Sequence, residues 1–245
     1  MVGLSGKTIR NLRGVIAYIS HQQGRPVEFG RERFSYTWHP DGQWTIRSVC
    51  EIERGVVRDR HVIREMTYTL DRDCYPLDCF VRLHQDGSFL GSGWARFSDT
   101  LAECEVFNNV IGRVSQRVEL QERVRSFGAH ALTCDLTHCA RFDHHSGERI
   151  QRTRALMSSL EHDGCSGPLL SEIEFGIEYV GRESVTVPAG TFDADHYRFH
   201  VQGSLPEEHP TEEVWCLPES FVFIKIKVGG YMNSTFELTE LEEGF

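Results

Sequence analysis

The sequence predicts an all-β protein: a meandering antiparallel sheet with a minor helical or loop insert. Three observations predict it. Bulky apolar side chains return at every second position through most of the chain, the period of a strand with one face buried. The alternating runs are short, spaced by roughly ten residues and punctuated by turn-forming residues, the pattern of a meander. One stretch, residues 127–168, breaks that rhythm and supplies the insert.

Taken in order, residues 9–20 read as a short helix or a first strand, followed by a turn at Gly24-Arg25-Pro26. Phe34, Tyr36 and Trp38 then alternate with Ser35 and Thr37. His39-Pro40-Asp41-Gly42 follows, with Pro presetting φ and Gly closing the turn. Trp44, Ile46, Ser48, Cys50 and Ile52 alternate on the return, which completes a β-hairpin. Residues 61–70 place Val62, Met66, Tyr68 and Leu70 on one face; after a turn at 71–76, Leu77, Cys79, Val81 and Leu83 form the next. Strands over 89–97, 102–111 and 113–120 follow, with Gly91 and Gly93 marking a bend or the close approach of another backbone.

Within the insert, residues 153–160 (TRALMSSL) read as a short helix and 163–168 as a loop. Alternation resumes at Ile173, Phe175, Ile177 and Tyr179, and a Pro188-Ala189-Gly190 turn leads into a strand at 192–201. A Pro- and Glu-rich loop at 205–210 and a short strand at 214–217 precede Val222, Ile224, Ile226 and Val228, which share a face. Gly229-Gly230 turns the chain into a closing strand at 231–241. With no repeats and no linker, residues 1–245 form one domain, a common size for an undivided barrel.

Composition narrows the function. A net charge of −10 argues against nucleic acid, which requires a basic patch or stripe. No apolar run reaches the roughly 20 residues of a membrane span. Lys7, Arg10 and Arg13 precede an apolar run at 15–19 that is shorter than a signal-peptide core of about 7 residues, so the expectation is a cytoplasmic protein with no membrane partner. The eight scattered cysteines then read as buried thiols rather than a disulfide framework.

The segments VTVPAGTFDADHYRF (185–199) and EEVWCLPESFVFIKIKVGGYMNSTFELTEL (212–241) resemble a family of uncharacterised bacterial β-sheet proteins with a VPAGTFDA turn. That family is distantly similar to the LolA/LolB-like lipoprotein-carrier architecture. The resemblance covers about the last quarter of the chain. The resemblance implies a single strongly curved antiparallel sheet forming a barrel or half-barrel around a cavity, its interior able to hold a hydrophobic ligand, and it supplies no catalytic residues.

The insert concentrates the chemistry. Residues 127–150 hold four of the twelve histidines and two of the eight cysteines. Cys134, His138, Cys139, His144 and His145 are zinc ligands by type, but there is no C-x₂-C pair, Cys134 and Cys139 are separated by four residues, and no second ligand pair stands at the expected distance, so no metal is expected. His130 and His138 are the acid–base candidates because imidazole titrates near neutrality, with Asp135 to orient one of them. His144 and His145 belong to an exposed turn. Arg64 is in phase with Val62, Met66 and Tyr68, which points a guanidinium at the interior, where it can meet an oxygen of a ligand. Tyr68, Trp94, Tyr179, Tyr197 and Arg82 are the substrate-binding candidates. His196, Arg198 and His200 share the face of a half-solvated strand.

No phosphate loop, nucleophile elbow or dinucleotide fingerprint occurs, so no cofactor is expected. The leading reading is a cofactor-independent lyase, dehydratase or isomerase acting on a small hydrophobic or aromatic molecule by histidine acid–base chemistry. Its alternative is a non-catalytic carrier or sensor for a hydrophobic ligand. A third reading is an interaction protein that forms a homodimer through a sheet edge. A cavity with convergent polar groups marks the enzyme, and an almost wholly apolar one marks the carrier.

Overall fold

A computed structural model of the chain describes residues 10–22, 24–158, 170–201 and 209–244. The loop expected at 163–168, most of the one at 205–210, and Cys165 lie outside them. Fifteen strands form a single sheet: β1 (Arg10–Ser20), β2 (Val27–Trp38), β3 (Trp44–Ile52), β4 (Val62–Leu70), β5 (Pro76–Gln85), β6 (Ser88–Phe97), β7 (Leu101–Asn108), β8 (Gly112–Glu119), β9 (Phe127–Gly128), β10 (Ile150–Met157), β11 (Ser171–Val187), β12 (Gly190–Val201), β13 (Glu212–Cys216), β14 (Phe223–Val228) and β15 (Ser234–Glu243). Each strand pairs with its neighbours in sequence except β8 and β9, and β1 pairs with β15. The ends of the chain are therefore sewn into the middle of the sheet. Its two edges, β8 and β9, come from mid-chain.

Curvature has a local origin. Register shifts interrupt the ladders at Tyr18/Ile19, Leu83/His84 and Tyr179/Gly181, among others. An extra residue on one strand bends it and sharpens the twist. The shift at Leu83/His84 lies opposite Gly91, close to where the sequence predicts a bend. Gly30 meets a different demand, since a Cβ there would stand 2.4 Å from the Glu51 carbonyl oxygen of the neighbouring strand.

The wall is barrel-like but not closed by strand pairing. Near the gap, Gln116 of β8 makes two bonds to Leu170: the Leu170 amide donates to its Oε1 at 2.8 Å, and its Nε2 donates to the Leu170 carbonyl at 3.4 Å. One side chain thus imitates a ladder rung. The chain leaves the wall at this same gap. After β8 it runs inward through β9 to a single helical turn α1 (Leu132–Asp135) and a 3₁₀ turn (Leu136–Arg141). Cys134, Leu136, Thr137, His138 and Cys139 are all buried. Residues 127–142 of the expected insert are a plug inside the barrel.

Two expectations change. The helix predicted at 153–160 is strand β10 as far as Met157, with Thr153 paired to Phe175 and Leu156 to Glu172. Cross-strand pairing overrides a helical propensity of a few tenths of a kcal/mol per residue. The ambiguous N-terminal segment is β1, because the sheet needs it to join β2 to β15.

Candidate functional site

The plug is held from the wall side by polar bonds. The turn α1 begins at Ala131 with no side-chain cap of its own. Glu32 of β2, fully buried, supplies one from a distance. Its carboxylate accepts the Leu132 amide at 3.0 Å, the Thr133 amide at 3.3 Å and the Thr133 hydroxyl at 2.7 Å. Tyr18 donates a fourth bond at 2.7 Å. A carboxylate at a helix N-terminus also offsets the partial positive charge of the exposed amides. The Tyr36 hydroxyl donates to the Thr133 carbonyl at 3.2 Å, and Arg64 Nη1 donates to the carbonyl of His130. His130 itself stands in the left-handed region, at φ 56°, a conformation that costs a non-glycine residue of order 1 kcal/mol or more.

On its other side the plug floors a cavity of about 370 Å³. Phe29, Ile52, Phe175, Phe199, Ile226 and Phe236 supply apolar wall. Gln22, Arg58, His209, Tyr231 and Met232 border it from the connections at one end of the barrel. Tyr231 is 52% exposed, and that end is the mouth. Arg64, His130, Asp135 and His138, the four residues the sequence nominates for chemistry, all line this one cavity.

Their electrostatics differ sharply. Burial, reinforced by the carboxyls of Glu212 and Glu32, pushes Asp135 up to about 8. Its carboxyl receives a weak bond from the Cys134 thiol at 3.6 Å. Glu212, at the start of β13, lines the same cavity, and burial pushes it up to about 7. His209 Nε2 lies 3.4 Å from its Oε1. Burial depresses His209, and its Nδ1 bonds the Pro210 carbonyl at 2.7 Å. His138 is pushed down to about 3 by burial and by Arg141. Its Nδ1 shares a hydrogen bond with the Ser126 hydroxyl, and its ring packs on Phe175 at 5.0 Å. His138 is thus held neutral, so it is a poor base at ordinary pH.

The expected binding residues lie elsewhere. Tyr68 points inward but deeper than Arg64, fully buried against Phe127 of the plug at 6.1 Å. Tyr197 and Tyr179 pair with each other one inward step beyond Phe199 and Ile177. They are sealed by Phe142, at 6.1 and 5.9 Å. Trp94 and Arg82 face away from the interior, because Gly93, Ala95, Cys79 and Val81 take the inward phase. Trp94 is 42% exposed beneath Arg96. None of the five lines the cavity. The plug fills the part of the lumen that Tyr68, Tyr179 and Tyr197 would otherwise face.

Glu212, His209 and Arg58 also line the cavity, and sequence reasoning missed them. For Glu212 the signal was available: it shares its phase with Val214 and Cys216, both fully buried. His144 and His145 do lie in an exposed turn, although His144 packs against Tyr179 at 4.6 Å. His196 is more enclosed than a half-solvated strand implies: it stacks on Trp215 at 4.3 Å between Glu183 and Glu213. Six of the seven described cysteines are buried free thiols, and Cys74 is partly buried. Among the described residues, no group of three or more His, Cys, Asp or Glu side chains is placed to hold a metal ion.

Neither a protein-family model nor a curated protein matches the chain. Among solved structures, it is similar to a beta-barrel-like protein of the domain of unknown function DUF1849 from Brucella abortus. That alignment has a TM-score of 0.59 at 11% identity and covers 96% of this chain and 98% of the other. At that identity the likeness establishes a shared barrel-like β fold. A "putative lipoprotein" from Parabacteroides distasonis ATCC 8503 aligns over 95% of each chain at 11% identity, with a TM-score of 0.33.

Proposed function

We propose that the protein is a cofactor-independent enzyme of the lyase, dehydratase or isomerase type, moving a proton on a small apolar or aromatic molecule held in this cavity. The observation that carries the reading is the convergence of Arg64, His130, Asp135 and Glu212 on one cavity with largely aromatic and aliphatic walls. A general acid or base works best when it titrates near the operating pH. Asp135 and Glu212, pushed up to about 8 and about 7, meet that condition and His138 does not. The proton carriers are therefore the two carboxyls, with Arg64 beside Asp135 to steady charge that develops on the substrate. His130 stands on a strained backbone at the edge of the same floor, and strain of that kind concentrates at functional sites.

The carrier reading draws on the aromatic walls and on the resemblance of residues 185–199 and 212–241 to lipoprotein-carrier architecture. A thermal-shift and native mass-spectrometry screen against phenols, aromatic ketones, terpenoids and fatty acids, followed by product analysis of each ligand found, separates the two. Turnover that falls by about 10²–10⁴ in Glu212→Gln and Asp135→Asn supports the enzyme. Tight binding with no product, undiminished in both variants, supports the carrier.

A further inference from the structure

Resting on that reading of the cavity, the charges around it define the ligand's chemistry. Asp135 approaches from the plug and Glu212 from the start of β13. Glu32 lies behind the plug on β2, near enough to act on Asp135. The cations are Arg64 from β4 and Arg58 from the β3–β4 connection. The histidines are His130 and His138 from the plug and His209 from the segment before β13. Tyr18 from β1 and Tyr231 from the β14–β15 turn complete the ionisable lining.

Three kinds of polar group on an apolar ligand can be weighed against that arrangement. A carboxylate or phosphate would bring a buried negative charge into a region of low dielectric where Arg64 already serves the His130 carbonyl, and a buried charge without its own partner is costly. An ammonium would lie close to Arg64, which is 3% exposed and cannot shed its proton. A neutral acceptor oxygen meets neither penalty. It also finds donors, because an un-ionised carboxyl carries an O–H. A buried carboxylic acid kept neutral so that it can donate to a substrate oxygen has a known precedent in ketosteroid isomerase.

We propose that the ligand is a neutral, mainly apolar molecule bearing a carbonyl oxygen, and that one of the Asp135 and Glu212 carboxyls, in its acid form, donates a hydrogen bond to that oxygen and leaves the other to accept the proton. The two side chains come from separate elements of the fold. They meet only across this cavity, where the aromatic walls of β2, β11, β12 and β15 would enclose the rest of the molecule.

The test is calorimetric titration of the full chain with four naphthalenes substituted at the same ring position: acetylnaphthalene, naphthoate, naphthylethylammonium and ethylnaphthalene. At about pH 6 acetylnaphthalene should bind roughly tenfold tighter than ethylnaphthalene, an increment of about 1.4 kcal/mol. The two charged probes should bind more weakly than the hydrocarbon. Raising the pH to about 9 should weaken acetylnaphthalene by on the order of tenfold as the carboxyls ionise, and should leave ethylnaphthalene unchanged. The double variant Asp135→Asn, Glu212→Gln keeps donors that cannot ionise. It should keep the preference for acetylnaphthalene and lose its pH dependence, with its fold checked by circular dichroism.

Tightest binding of naphthoate or naphthylethylammonium overturns the proposal, as does an affinity for acetylnaphthalene that is unchanged by pH. Exchange of the acetyl methyl protons in deuterated water, followed by NMR, reports proton transfer separately. Selective binding of acetylnaphthalene without exchange upholds this ligand class and overturns the enzyme reading. Binding of none of the four overturns both.

Discussion

The two sides of the plug both bury carboxyl groups, and they treat them in opposite ways. Toward the β2 wall, Glu32 is fully buried and accepts four hydrogen bonds, two from amides and two from hydroxyls. Toward the cavity, Asp135 receives one weak thiol bond and Glu212 lies 3.4 Å from a single histidine nitrogen. Removing a carboxylate from water is costly unless donors replace the water. Glu32 has that replacement and serves as structure. Among the described residues Asp135 and Glu212 face fewer donors, and burial favours their protonated form, which leaves them with protons to give or share. A buried acid is architectural or reactive according to how many donors face it.

The largest expected effect tests the architectural side. Glu32→Ala should leave two plug amides and two hydroxyls without their acceptor and cost about 3–4 kcal/mol, read as a shift in the urea midpoint at unchanged slope. Glu32→Gln, which keeps one carbonyl acceptor, should cost less. A loss under about 1 kcal/mol for the alanine variant would break the contrast.

The intermediate effect concerns pH. Asp135 titrates at about 8 in the folded chain against an ordinary 3.8, so the folded state holds a proton that the unfolded state releases. Its contribution to stability is full below about pH 4 and is lost as pH climbs towards 8. Asp135→Asn should therefore stabilise the protein relative to wild type at pH 8, by on the order of 1 kcal/mol or more, with the advantage shrinking towards pH 4. Thermal unfolding across that range measures it. His138 opposes this trend. Its folded value of about 3 lies below an ordinary 6.5, so the neutral ring contributes stability above pH 6.5 that is lost as pH falls towards 3. Between about pH 4 and 6.5 the two slopes cancel, so a plateau that falls away on either side is the expected contribution of these two groups.

The smallest effect lies outside both sides. Trp94, exposed on the outer face of β6, should tolerate replacement by Ser within about 0.5 kcal/mol and without change in ligand affinity. A loss of affinity in this variant would move the site out of the cavity.

Period-two phasing was a reliable guide to direction. It turned Arg64 inward, and the chain places that guanidinium at the cavity floor. The same reasoning applied to Glu32, in phase with Phe34 and Tyr36, and to Glu212, in phase with Val214, would have found both. Phasing was a poorer guide to what an inward residue meets. Tyr68 and Tyr197 point inward as their strands require, yet they meet the plug.

By itself the sequence determined the strand content, the hairpin turns, the inward faces and the irregular character of residues 127–150, because each depends on neighbours a few positions away. Tertiary structure alone decided that β1 pairs with β15, that the plug enters at the gap between the sheet's edges, and which part of the lumen stays empty. Those outcomes depend on partners about a hundred residues apart, Glu32 and Thr133 among them. Local side-chain alternation carries no record of such pairings. The empty part of the lumen is where Asp135 and Glu212 meet.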